Sequence, residues 1–100
     1  DFTYIINADY DVEDLFEVLN LGKPPVSDST SVGGWLFEMF QDIPEVDEEV
    51  EYEVRYNQEY DELSELIKED KAVLVFKILA VTKRRIKSVL LKINVIENEE

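Results

Sequence analysis

The sequence predicts an α+β domain in which an antiparallel sheet of about four strands carries two helices on one face, in the order β-α-α-β-β-β. Residues 11–21 and 31–43 repeat apolar side chains at three- and four-residue steps, which is the period of an amphipathic helix. Strand-like composition occurs in four other stretches, residues 3–6, 49–56, 72–81 and 86–95. The two helical stretches adjoin each other, with one strand before them and three after.

The first strand and helix follow from simple local signals. Tyr4 and Ile6 fall on one face of the strand. Asp11 is the expected N-cap of the first helix, because its carboxylate can accept from unpaired first-turn amides. The apolar stripe of this helix comprises Val12, Leu15, Phe16 and Leu19. Gly22 is expected to end the helix, and the proline- and serine-rich residues 22–31 form a loop.

The second predicted helix contains an unexpected pair of glycines. Thr30 or Ser31 is its expected N-cap, and its apolar face comprises Val32, Trp35, Leu36, Met39 and Phe40. Gly33 and Gly34 each cost about 1 kcal/mol relative to alanine inside a helix, so something should offset them. Close approach of another backbone is the favoured explanation, and a phosphate bound to bare first-turn amides is the alternative. Ile43-Pro44 is expected to end this helix.

The C-terminal half is predicted to contain three strands. The first alternates Val50, Tyr52, Val54 and Tyr56 with Glu49, Glu51, Glu53 and Arg55, which leaves one wet face. Residues 72–81 are almost wholly apolar, as in a central strand, and residues 82–84 reverse the chain. Ile86 is out of phase with the apolar residues from Val89 onward, which a one-residue bulge near Lys87-Ser88 would reconcile. The tail from Glu97 is expected to fray.

Residues 57–71 separate the first two of these strands. Tyr60, Leu63 and Ile67 recur at helical spacing, so a short amphipathic helix on the domain edge is one interpretation. A mobile acidic loop is the other, because a helix of this length is marginal without tertiary packing.

Composition excludes several classes of function. The chain has no cysteine and no histidine, so it cannot form a disulfide, a Ser-His or Cys-His catalytic pair, or an ordinary zinc site. The net charge of −14 repels nucleic acid and anionic lipid. No apolar run approaches the roughly 18 residues that span a bilayer, and no signal peptide is visible. We therefore predict a chain that is not an enzyme, holds no metal, binds no nucleic acid and does not insert into a membrane.

Three segments in order carry a family resemblance. G-G-W-L-F-E-M-F from Gly33, D-I-P-E-V-D-E-E-V-E-Y from Asp42 and K-R-R-I-K-S-V-L-L from Lys83 resemble the transporter-associated domain of the CorC/HlyC type. Residues 4–21 resemble the opening strand and helix of that family, and residues 76–93 its closing hairpin. The chain departs from the family at two places. The connection at residues 57–71 is longer than the usual tight one, so the resemblance implies that these residues are an insertion, and Thr82-Lys83 stands where the family often has Asp-Gly.

This resemblance implies a cytoplasmic regulatory or interaction domain. Domains of this family lie at the C-terminus of magnesium/cobalt efflux and hemolysin-related membrane proteins, behind a pair of CBS domains. The implied partners are those CBS domains, the membrane domain of the parent protein, or a second copy in a homodimer. The chain starts with Asp1 and its only methionine is Met39, so we expect one domain, residues 1–100, within a longer membrane-anchored protein.

Three groups of residues are candidates for contacts or ligands. The acidic run from Asp42 to Glu53 offers oxygen ligands to divalent ions, but strand alternation favours a solvated face. Half of the basic residues lie within ten positions, namely Lys83, Arg84, Arg85, Lys87 and Lys92. They could bind a phosphate or an acidic neighbouring surface, or balance the acidic strand. Trp35 and Phe37 cannot share one helical face, so one of them is expected to be exposed as a partner contact.

No cofactor is expected, but a nucleotide alternative stays open. The family is grouped by fold with FAD-binding domains, which makes FAD or an adenine nucleotide a conceivable ligand. The candidate phosphate contacts are Gly33, Gly34, Lys83, Arg84 and Arg85. The candidate interaction residues are Trp35, Phe37 and Lys87.

Overall fold

A computed structural model describes residues 2–96 of the chain, so the tail from Glu97, expected to fray, lies outside the described residues. The elements follow the predicted order and are β1 (Phe2–Asn7), α1 (Val12–Val18), α2 (Val32–Phe40), β2 (Glu49–Tyr60), β3 (Leu66–Val81) and β4 (Ile86–Ile96). The strands form an antiparallel sheet in the order β1-β4-β3-β2. The predicted α+β class is confirmed.

Both helices pack on one face of the sheet through an aromatic cluster. Phe16 of α1 and Trp35 of α2 both contact Tyr52 of β2, with ring centroids 6.3 and 5.1 Å apart. Trp35 also meets Phe76 of β3 edge-on at 5.4 Å. Along β3 the side chains that reach this core alternate regularly, at Ala72, Leu74, Phe76 and Ile78. The core therefore joins α1, α2 and the two central strands to β2.

The two helices begin side by side, each with its predicted cap. The Asp11 carboxylate accepts from the Asp14 amide at 3.0 Å, and the Ser31 hydroxyl accepts from the Gly34 amide at 3.0 Å. The two cap residues also pair with each other in an isolated antiparallel bridge. Neither helix within residues 2–96 has the length and apolar composition needed to cross a membrane.

The end of α1 differs from the prediction. Asn20, and not Gly22, adopts the left-handed conformation that terminates the helix, with φ of 54°. The Leu21 amide donates to the Phe16 carbonyl at 2.9 Å, and the Asn20 amide donates to the Glu17 carbonyl at 3.2 Å. This pair of bonds is a Schellman motif, for which asparagine is the usual substitute for glycine. Gly22 lies two residues beyond the left-handed position that ends the helix, so it does not terminate α1.

The end of α2 also precedes the predicted stop. The helix finishes at Phe40, and Gln41 takes a left-handed conformation with φ of 66° while its amide donates to the Phe37 carbonyl at 2.8 Å. Ile43-Pro44 therefore lies in the loop beyond the helix and does not terminate it. The left-handed residue ends the helical bonding before the proline restriction applies.

Residues 57–71 form neither the predicted helix nor a mobile loop. They extend β2 and β3 into a long two-stranded hairpin that closes at residues 61–65. Asn57, with φ of 51°, accompanies a register shift after Tyr56 of the kind that a bulge produces. A helix here would have no surface against which to bury its apolar stripe. The hairpin instead continues the antiparallel pairing of β2 with β3.

The predicted bulge in β4 is confirmed. Val81 pairs with Ile86 and Ala80 pairs with Ser88, so Lys87 is the additional residue on β4. Its carbonyl accepts from the Ala8 amide at 3.0 Å, just past the end of β1. The bulge restores the phase of the strand, which is why Ile86 is buried together with the apolar residues after it.

Close packing explains both glycines of α2. The Gly33 amide donates to the Ala8 carbonyl at 2.8 Å, and a Cβ on Gly33 would lie 2.8 Å from the Ala8 Cβ. A Cβ on Gly34 would overlap the Ser29 hydroxyl and would lie 2.6 Å from the Ser29 Cβ. The helix thus begins in contact with the end of β1 on one side and with its own leading loop on the other.

We predict that Gly34→Ala lowers the free energy of unfolding by about 1–3 kcal/mol, although alanine favours the isolated helix by about 1 kcal/mol. The reason is overlap with Ser29. Denaturant unfolding of the Gly34→Ala and Ser29→Gly/Gly34→Ala variants measures this, with Ser29→Gly alone as the reference. The double variant should recover most of the loss, because it removes both overlapping atoms. An increase in stability on Gly34→Ala alone would contradict the packing explanation.

Candidate functional site

A cleft of about 240 Å³ lies between the first turn of α2 and the turn that joins β3 to β4. Its lining combines apolar, glycine, arginine and acidic residues, namely Ala8, Asp9, Ser31, Gly33, Gly34, Phe37, Ile43, Arg84, Arg85 and Ile86. Segments from both ends of the chain meet here. They do so because β1 pairs with β4 along the sheet edge, with Asn7 opposite Ser88.

The cleft has an apolar floor and one aromatic wall. Ala8, Gly33 and Ile86 are buried beneath it. Phe37 projects from the second turn of α2 and remains 42% exposed, so its ring is available to a ligand or partner. Because the glycines carry no side chain, α2 approaches β1 closely and the cleft stays open above them.

The opposite wall is the β3–β4 turn, which is shaped by one side chain. The Thr82 hydroxyl accepts from the amides of Arg84 and Arg85 at 3.2 and 3.1 Å. The Thr82 amide donates to the Arg85 carbonyl at 2.8 Å and closes a four-residue loop. The Thr82 side chain therefore holds a four-residue turn, and not the two-residue type I′ turn that Asp-Gly favours. It presents both arginines at the cleft.

The two arginines have different environments. The Arg85 guanidinium donates to the Asp9 carboxylate at 3.3 Å, and both side chains are more than half exposed. The Arg84 side chain makes no hydrogen bond or ion pair with any residue in the range 2–96. The alternative that this basic run balances the acidic strand does not hold for β4, because β3 lies between β4 and β2. Arg84 is therefore the cation available to an anionic group.

The structure brings together some of the predicted residues and separates others. Gly33, Gly34, Arg84, Arg85 and Phe37 all line the cleft. The other predicted residues, Lys83, Lys87 and Trp35, do not.

Trp35 cannot serve as the predicted partner contact. It is only 3% exposed, because its ring fills the space between Phe16, Tyr52 and Phe76. Phe37, two residues later on the opposite side of α2, is the exposed member of the pair that the helical period anticipated.

The backbone amides that would have to bind a phosphate at the two glycines are already used within the chain. The amides of the first turn already donate within the chain, Val32 to the Tyr10 carbonyl, Gly33 to the Ala8 carbonyl and Gly34 to the Ser31 hydroxyl. A bare-amide site requires these groups to be unpaired. An anion in the cleft would instead have to rely on the arginine side chains.

Several lining residues had no signal in the sequence. Asp9 meets Arg85 across 76 positions of sequence, and only the register of β1 against β4 places them together. The sequence indicates Ile43 only as part of the signal that ends the second helix, yet Ile43 lines the cleft from the loop after α2. Local periodicity cannot report such contacts, because they depend on which strands become neighbours.

The acidic run has the arrangement expected of a solvated face. Glu49, Glu51 and Glu53 are all exposed along β2. Successive side chains on one face of a strand are about 7 Å apart, which is too far for neighbouring carboxylates to share an ion. In the part of the chain that the structure describes, acidic side chains nowhere form a group of three that could hold a metal.

The CorC_HlyC family model, described as a transporter associated domain, matches residues 1–95. A crystal structure of a CorC_HlyC domain from Haemophilus ducreyi is similar with a TM-score of 0.61 and 18% sequence identity, over 97% of this chain and 100% of that chain. At this identity the similarity concerns the fold. A search of curated proteins finds no significant match.

We predict that Thr82→Ala destabilises the β3–β4 turn by about 1 kcal/mol, because two amides lose their shared acceptor. Thr82→Ser keeps the hydroxyl and should stay within a few tenths of a kcal/mol of the parent chain. Denaturant unfolding of both variants measures the difference. Equal stability of the alanine and serine variants would show that the hydroxyl does not hold the turn.

Proposed function

The chain belongs to the CorC/HlyC family of transporter-associated domains, and from this membership we propose that it is a non-catalytic regulatory and interaction domain. It modulates transport of ions of the magnesium/cobalt type by a parent membrane protein. Its partners in that protein are the CBS pair and the membrane domain, on the cytoplasmic face. The observation that carries the proposed role is the family match, and the cleft between α2 and the β3–β4 turn is the surface through which we propose that the domain acts.

The chemistry of the cleft suits recognition. Its polar groups are Asp9, Ser31, Arg84 and Arg85. Ser31 caps α2 and Asp9 pairs with Arg85, so both already have structural roles. Arg84 and the exposed Phe37 ring remain available, and an arginine beside an aromatic ring is the combination enriched where proteins bind each other.

Regulation follows if a neighbouring domain occupies this cleft in one transport state and leaves it in another. If the contact is more favourable in one transport state than in the other, it shifts the equilibrium between the two states by that difference in free energy. Such a shift is how the domain would modulate transport. An acidic and apolar surface on the neighbour would suit the cleft best, because it would pair with Arg84 and cover Phe37.

We expect deletion of this domain from the parent protein to change the rate or the regulation of Mg²⁺ or Co²⁺ flux in membrane vesicles. Phe37→Ser should reproduce part of that change, because it removes the exposed wall of the cleft. Val18→Ser is the matched control, since Val18 is an exposed apolar residue outside the cleft. Unchanged flux and unchanged regulation after deletion would refute the proposal.

A second candidate is binding of an adenine nucleotide or FAD, favoured by the convergence of Gly33, Gly34, Arg84 and Arg85 at one cleft. Two facts count against it. The first-turn amides already have acceptors, and the cleft is smaller than the roughly 300–1,000 Å³ of typical ligand sites. A phosphate could bind the arginines while the base stacks on Phe37.

Thermal unfolding in the presence of ATP or FAD tests this second candidate. A ligand at ten times its Kd stabilises the folded state by about 1.4 kcal/mol, which raises the Tm of a domain of this size by several degrees. The increase should vanish in an Arg84→Ser/Arg85→Ser variant. No shift with either ligand at about 1 mM would exclude any Kd near or below 0.1 mM.

A further inference from the structure

The hairpin formed by residues 57–71, here called the arm, ends in an exposed apolar tip. The tip, residues 60–67, exposes Tyr60, Leu63, Leu66 and Ile67. Leu63 is 80% exposed at the turn itself. Four exposed apolar side chains within eight residues indicate an interaction site, whereas single exposed apolar residues are normal on a protein surface.

The turn that carries Leu63 is ordered by its own hydrogen bonds. The Asp61 carboxylate accepts from the amides of Leu63 and Glu65 at 2.8 and 3.0 Å. The Asp61 amide also donates to the Glu65 carbonyl at 3.0 Å. The backbone at Leu63 is therefore ordered before any partner arrives, and preorganisation of this kind lowers the entropic cost of binding.

The charge around the tip defines the partner. Residues 57–71 contain six acidic and two basic side chains. No basic group within residues 2–96 lies at ion-pair distance from Glu62 or Glu65, which flank Leu63. A complementary surface must offer an apolar recess with cations at its edge.

The chain itself contains such a surface. The cleft between α2 and the β3–β4 turn has an apolar floor, the exposed ring of Phe37 and the free guanidinium of Arg84. Residues 83–92 hold half of the basic residues of the chain. An acidic projection and a basic turn thus belong to the same molecule.

One copy cannot bring the two surfaces together. The arm tip and the β3–β4 turn lie at opposite ends of β3, whose 16 residues span about 50 Å. The longest dimension of the molecule is 51 Å. Contact between tip and cleft therefore requires a second copy.

We propose that the arm tip of one copy docks in the cleft of a second copy, with Leu63 in the apolar recess and Glu62 and Glu65 facing Arg84. Two copies arranged antiparallel make this contact twice, so the assembly closes as a two-fold dimer. The inference concerns the purified chain and does not depend on the proposed role in transport. Each contact is small, so the Kd is expected to be micromolar or weaker.

Sedimentation equilibrium of the purified chain tests the proposal from about 10 µM to 1 mM, in about 150 mM salt that screens the repulsion between two acidic molecules. The parent chain should show a monomer–dimer equilibrium. Leu63→Ser and Arg84→Glu should each weaken the dimer at least tenfold. Their matched controls are Val26→Ser, at a site 98% exposed in the loop between the helices, and Lys23→Glu, and neither should change the Kd.

A charge exchange separates the docking contact from general repulsion. Glu62→Arg lowers the net negative charge, which by itself favours association, yet it should weaken the dimer because it places a cation beside Arg84. Combining Glu62→Arg with Arg84→Glu in one chain should restore it. A monomer at every concentration, or a dimer unaffected by Leu63→Ser and Arg84→Glu, would overturn the proposal. Near-ultraviolet circular dichroism of Trp35 verifies that each variant is folded.

Discussion

The contact on which the rest of the structure depends is the backbone junction between Gly33 and Ala8. The Gly33 amide donates to the Ala8 carbonyl, and the Ala8 amide donates to the carbonyl of Lys87 in the β4 bulge. Ala8, which lies in the connection between β1 and α1, therefore links the start of α2 to the start of β4. Such an approach needs a position without a Cβ, which is why a helix-breaking residue stands inside the first turn.

The junction determines both the core and the cleft. With the first turn held against the sheet, Trp35 points into the aromatic cluster with Phe16, Tyr52 and Phe76. The opposite side of the same helix then faces the β3–β4 turn, and the space left between them is the cleft. Packing and the candidate site are two consequences of one close contact, so a change that opens the junction would alter both.

Charge is distributed unevenly along the sheet. Acidic side chains lie along the whole length of β2 and the arm, whereas half of the basic residues lie in the β3–β4 turn and β4, within residues 83–92. Attraction between exposed charges is weak pair by pair, but a local concentration of like charges orients an approaching molecule. A neighbouring domain and a second copy would both meet this basic turn at the cleft.

The sequence by itself determined the element order, the two helix caps, the wet face of β2 and the bulge at Lys87, because each depends on residues near one another in the chain. It also identified five residues that line the cleft, although not that Trp35 would be buried. Only the tertiary structure decided that residues 57–71 extend a hairpin, since the ladder begun by β2 and β3 competes with a helix that has no surface to cover. It alone placed Asp9 beside Arg85, because strand neighbours far apart in sequence are chosen by the packing of the whole sheet.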